Sequence, residues 1–172
     1  MALSSILVHA IPYITDAGFA RSAAGLALTV NGLGNLLSKP VWGYSLQHIA
    51  ARKLVLIAFS LSALGVGMML GAASLGLLAL LPGFFLYGFG FGGTIPLGEF
   101  IWAHYFGRTH IGAIRGVSQP LVYIGPTLGP ILVGLAYDLT GSYRFSFQVI
   151  IAVFLAAAGL IWLSRAPTFD PL

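Results

Sequence analysis

Lys39 is the residue whose position most requires a chemical reason. It stands in Ser38-Lys39-Pro40-Val41-Trp42-Gly43, inside an otherwise apolar stretch. A charge placed there is costly to desolvate and marks a solute or ion contact. The competing reading is that its amine snorkels to the headgroups. Glu99 and His104 lie late in another apolar stretch, His9 in the first, and Asn31 in the same stretch as Lys39. Glu99 is a solute contact, a proton relay, an interfacial acid near the loop with Arg108, or the partner of Lys39 or Arg115 across helices. His104 is a relay or an interfacial imidazole, and His9 lines a cavity or is a hydrogen-bonded interior group. Gln119 and Tyr123 are four apart and share one helical face, as cavity lining or as polar packing. Asp138 reads as a helix-end group.

This set does not look catalytic. The sequence contains no His-Glu-x-x-His or similar metal spacing and no recognisable nucleophile–base pair. Lys39 with Glu99 is the only polar pair available at depth for an intramembrane enzyme. Cysteine is absent, which removes disulfides and thiolate metal sites. The expectation is a protein that is not an enzyme, with no metal and no cofactor.

The elements that must position these groups are membrane helices. Of 172 residues, 58% are hydrophobic and 7% charged, with mean hydropathy +0.96. A soluble domain carries about 25% charged residues. Only lipid removes the need for a charged surface. The 45 residues Leu54 to Gly98 contain no charge and no histidine. One crossing needs roughly 20 residues, so this run holds two, turning at Gly71 to Ser74. The net charge is +4, but the basic residues are scattered and form no aromatic-interleaved stripe. They read as topology-setting loop charges, with no nucleic-acid partner. Met1 to Ala10 lacks the positive region of a cleaved signal peptide.

Six apolar spans are expected, at about 1–14, 23–46, 54–73, 75–105, 113–137 and 145–163, as a single all-α transmembrane domain of five to six helices. Continuous apolar runs without period-2 alternation favour helices over a barrel. The first is short: 14 residues make about 21 Å of helix against a core of about 30 Å. It reads as the stub of a longer helix. Arg52, Lys53, Arg108, Arg115 and Arg165 fall on one side, and Arg21 and Arg144 on the other. That bias predicts a multi-pass cell-membrane protein with loops 47–53 and 106–112 and the C-terminus cytoplasmic. Glycines spaced by four, at Gly67 and Gly71, Gly112 and Gly116, and Gly125 and Gly129, predict close helix packing. The run Gly88, Gly90, Gly92, Gly93 follows no strand, so it is no dinucleotide loop.

Local patterns carry a resemblance. Gly43-Tyr44-Ser45-Leu46-Gln47-His48-Ile49-Ala50-Ala51-Arg52-Lys53 resembles the loop motif of the major facilitator superfamily. Gly43, Arg52 and Lys53 match, while Gln47, His48 and Ala50 depart from its Asp, Arg and Gly. Tyr105-Phe106-Gly107-Arg108 and Gly112-Ala113-Ile114-Arg115-Gly116 resemble the loop between its tenth and eleventh helices. Gly125-Pro126-Thr127-Leu128-Gly129-Pro130, then Gly134, Tyr137-Asp138 and Thr140-Gly141-Ser142-Tyr143, resemble the eleventh helix and its outer loop. His9 to Gly18 resembles the end of the seventh helix in the branch of monocarboxylate transporters and oxalate–formate antiporters.

The resemblance implies the C-terminal half of a twelve-helix transporter, with the seventh helix truncated. It implies alternating access around a midplane site, for a small organic anion such as a monocarboxylate. The partners would be the lipid bilayer, the solute, and a missing six-helix half or a second copy. Asn35 and Lys39 fall where that branch has an acid and an Arg-Pro. Asn35 cannot take up a proton, while Lys39 keeps an anion-binding cation. The alternative is a non-transporting remnant of a split or truncated gene.

Overall fold

The apolar runs leave the backbone no partner but itself, so they close into helices joined by short turns. The computed structural model describes residues 2–106 and 111–163, with side chains for all but 2, 3, 104–106, 111 and 114. The helices are α1 (Ala2–Asp16), α2 (Arg21–Ser45), α3 (Ala51–Leu70), the single turn α4 (Ala72–Leu75), α5 (Leu77–Phe106), α6 (Ile111–Thr140) and α7 (Arg144–Leu163). No strand occurs among the described residues, as the all-α expectation requires. Arg108, Arg165 and the side chain of His104 lie outside the described residues.

The turn expected at Gly71 to Ser74 overlaps α4, and Gly76 at φ +63° follows it before α5. That left-handed conformation favours glycine, which has no Cβ to clash. Among the described residues, four helices can by length and composition cross a membrane: Ala51–Leu70, Leu77–Ala103, Arg115–Thr140 and Arg144–Leu163. At 15 residues α1 is shorter than these, and α2 carries Asn31, Asn35, Ser38 and Lys39. The outside of the bundle is as apolar as its core, with Leu78 and Leu139 each 86% exposed. Lipid or a further bundle can cover such a surface, and water cannot.

Helix α5 lies between α2 and α3; α7 packs on α3, and α1 pairs with α6. Two glycine stripes on opposite faces of α5 permit the close packing. A Cβ at Gly88 would strike Asn31 O, and one at Gly92 would lie 3.0 Å from Asn35 O, both on α2. A Cβ at Gly83 would lie 2.8 Å from Gly65 O, and one at Gly90 2.6 Å from Ala58 O, both on α3. Hydrogen bonds cross the α2 contact, from Asn31 Nδ2 to Phe84 O and from Trp42 Nε1 to Phe89 O, each 3.0 Å.

The sequence expectation about glycine pairs needs correcting for two of its three pairs, Gly67 with Gly71 and Gly112 with Gly116. A Cβ at Gly67, Gly112 or Gly116 would meet nothing within 4 Å, and one at Gly71 would meet its own preceding turn. Spacing by four identifies glycines on one face, but it does not say whether that face has a neighbour.

Candidate functional site

The second half of α5 and the first half of α6 diverge and leave a groove of about 510 Å³. Arg115, Gln119 and Tyr123 recur every four residues and so face it together from α6. Thr94, Glu99 and Trp102 face them from α5. Arg115 and Glu99 form an ion pair across the groove, with side chains 44% and 42% exposed. Of the two partners open to Glu99 in the sequence, Arg115 is the one it meets. The lining runs from Phe91 to Trp102 on α5 and from Arg115 to Pro126 on α6. Each stretch is twelve residues, and eleven helical rises cover about 16 Å. Phe91 and Pro126 lie at the middles of these 30-residue helices, so the groove leads from mid-bundle to one end.

Lys39 is elsewhere. Its Nζ donates to Asn35 Oδ1 at 3.0 Å, one turn back along α2. The ammonium is exposed, and among the described residues no carboxylate pairs with it. Neither Lys39 nor Asn35 lines the groove. Asn35 gives Lys39 a neutral partner where a carboxylate would have cancelled its charge.

His9 belongs to a third cluster, at the opposite end of α6 from Arg115. Its Nε2 lies 3.0 Å from Pro130 O, and its Nδ1 3.3 Å from Tyr143 Oη. A carbonyl only accepts, so Nε2 carries the proton, and in the neutral ring Nδ1 accepts from the tyrosine. Nearby, Tyr137 donates to Asp16 Oδ2 at 2.6 Å, and the rings of Tyr137 and Tyr143 stack 4.3 Å apart. Burial pushes the Tyr143 phenol up, and the Asp16 and Asp138 carboxylates add to it. Among the described residues no three His, Asp or Glu side chains converge as metal ligands would.

These observations describe an apolar helical bundle with a largely apolar groove that holds an ion pair, and a cation with no carboxylate partner among the described residues. The family model of the Major Facilitator Superfamily matches residues 1–171. The chain belongs to the Major Facilitator Superfamily. It resembles monocarboxylate transporter 13 of Bos taurus, at 28% identity over 173 residues, 95% of this chain and 40% of the relative. It also resembles monocarboxylate transporter 13 of Rattus norvegicus, at 25% identity over 154 residues, 90% and 36% respectively. The chain thus spans about two fifths of the length of these curated relatives. The monocarboxylate branch anticipated from the sequence is the one these relatives represent. As a member of this superfamily, the chain is a multi-pass membrane protein of a transporter family.

The superfamily loop motif acquires a physical role at one position. Arg52 donates through Nε to Ile161 O at 3.0 Å and through Nη2 to Trp162 O. Both carbonyls lie in the last turn of α7. A cation there also opposes the negative helix end. Lys53 and Gly43 are exposed. Arg52→Ala is expected to lower stability by about 1 kcal/mol, read as an earlier thermal midpoint in detergent, with no change in helix content.

The superfamily's Gly125 to Pro130 segment is where α1 meets α6. Pro130 has no N–H, so Pro126 O lacks its donor four residues on, and Ser4 Oγ donates to it at 2.9 Å. Sequence reading missed Ser4, Trp102 and Thr94. A lone Ser or Thr in an apolar run gives no signal until its neighbouring helix is known.

Proposed function

We propose that this chain forms one wall of a secondary transporter for a small organic anion, working by alternating access. The observation that carries the reading is Lys39, an exposed ammonium in an apolar bundle with an amide and no carboxylate beside it. A charge kept at such cost has a counter-charge to meet, and a mobile anion fits. The printed names of the relatives, monocarboxylate transporter 13, favour a carboxylate. In this reading the chain is a single transmembrane domain, the C-terminal six-helix half. The other wall comes from an N-terminal half or a second copy, and the site lies between the two. The bias of Arg52, Lys53, Arg108, Arg115 and Arg165 over Arg21 and Arg144 supports a cytoplasmic side for loops 47–53 and 106–112 and the C-terminus.

The test is reconstitution. The chain is put into liposomes alone and together with the remaining segment of the bovine relative. Uptake of radiolabelled L-lactate is followed against protein-free vesicles. Saturable uptake in either arrangement is expected. No saturable uptake in both would sink the proposal and leave the non-transporting remnant as the better reading.

A further inference from the structure

We infer that the crevice between α6 and α7 is a lipid site: it takes one acyl chain of a bilayer phospholipid and holds the ester carbonyl of that chain on the Ser146 hydroxyl. The inference stands apart from the anion reading, and the crevice lies apart from Lys39 and from the α5–α6 groove. Only residues 141–143 join α6 to α7, yet the two helices touch sparsely and leave a crevice of about 170 Å³. An apolar cavity of about 150 Å³ takes a benzene ring, so this one takes a length of hydrocarbon chain.

Gly129 and Leu132 line the crevice from α6, and Ser146, Val149 and Val153 from α7, with Ser5 beside them from α1. Leu132, Val149 and Val153 are about half exposed, so the crevice opens on the outside of the bundle. In a membrane protein that outside meets acyl chains. Ser5 and Ser146 are the only polar side chains in the lining. A water molecule needs about two to four polar partners, so a chain carrying a single acceptor suits the space better.

One group in the crevice calls for that acceptor. Ser146 is 5% exposed, and its Oγ has no hydrogen-bond partner among the described residues. Buried hydroxyls are nearly always paired, because the hydrogen bonds they made to water must be replaced. Ser146, Val149 and Val153 recur at i, i+3 and i+7, so the hydroxyl stands on the face that lines the crevice. Its depth matches as well. The 20 residues of α7 cover about 30 Å, the hydrocarbon thickness, so Arg144 marks one edge of the core. Ser146 lies about 3 Å inside that edge, at the boundary where the ester groups of a phospholipid join its chains. An acyl chain below a carbonyl held there runs on past Val149 and Val153 for about 10 Å.

The experiment is native mass spectrometry of the full chain in detergent, titrated with dioleoylphosphatidylcholine and with its diether analogue. The analogue has the same head and chains but no ester carbonyl. Wild type is expected to bind one diester molecule saturably, and the diether about threefold to tenfold more weakly, the worth of one neutral hydrogen bond. Ser146→Ala should bind the two lipids equally, at the wild-type affinity for the diether. Val149→Trp fills the crevice from its open side and should weaken both lipids by about tenfold or more. Should Val149→Trp fail to fold, Val153→Phe brings smaller bulk into the same space. Adding the remaining segment of the bovine relative should leave the lipid in place. No saturable binding, wild-type affinity in the crevice-filling variants, or an ester preference that survives Ser146→Ala would overturn the inference. So would displacement of the lipid by the bovine segment, which would make the crevice an interface between halves. The lactate-uptake result bears on the transport reading and leaves this site to its own test.

Discussion

Lys39→Ala is expected to reduce saturable lactate uptake at least tenfold, through a higher KM, while Lys39→Arg keeps most of it. A tenfold loss corresponds to about 1.4 kcal/mol. An exposed ion pair in water supplies only about 0.2–1 kcal/mol. The same pair in a less polar setting is worth several times more, because the attraction scales inversely with the dielectric constant. Within this chain Lys39 contacts an amide, so its removal leaves no carboxylate unpaired and folding should be spared. The loss should then appear in uptake and not in the yield of folded protein. Snorkelling predicts the opposite outcome. An amine that merely reaches headgroups can be truncated with uptake unchanged, and that result would end the case for Lys39 as an anion contact.

The largest stability effect is expected from Gly90→Ala. The added Cβ would lie 2.6 Å from Ala58 O, 2.6 Å from Ser62 Oγ and 2.8 Å from Ser62 N. Two of those atoms are backbone, so relief requires moving α3 and not merely turning a side chain. Overpacking of a tight core costs about 1–3 kcal/mol, and a backbone obstacle puts this case at about 3 kcal/mol. Gly67→Ala is the matched control on α3 itself, since its Cβ would meet nothing. Relieving a mid-helix glycine should leave stability equal or raise it by about 0.5–1 kcal/mol. Thermal midpoints of the two variants in one detergent measure the contrast. Equal midpoints would show that α5 is not wedged between α2 and α3 as described.

Much of the architecture was legible because lipid imposes it. The uncharged run from Leu54 to Gly98 had to contain two helices and a turn, and it does. The site was legible in pieces. Gln119 and Tyr123 could be placed on one face by their spacing, and Glu99 and Arg115 could be paired on charge. Nothing in the sequence said that α5 and α6 diverge, so the groove that unites the four was not readable. The glycines show the same limit in reverse. The run Gly88, Gly90, Gly92, Gly93 serves two neighbours at once: Gly90 faces α3 and the other three face α2. His9 was ambiguous for the same reason, since its partners Pro130 and Tyr143 lie more than 120 residues away.

The prolines of α6 bear on how the groove can change. Pro120, Pro126 and Pro130 remove three of the internal bonds that brace a helix against bending. Two of them, Pro120 and Pro126, fall in the half of α6 that forms the groove wall or at its inner limit. Helix α5 has its own Pro82 and Pro96, but its glycines grip it between α2 and α3 up to Gly93 and Leu97 is buried against Trp42 and Leu54, whereas α6 touches α5 sparsely. In mechanical terms the groove has one stiff wall and one compliant wall. Its width is set by the curvature of α6, and the Glu99–Arg115 contact is the clasp that fixes that curvature at one end.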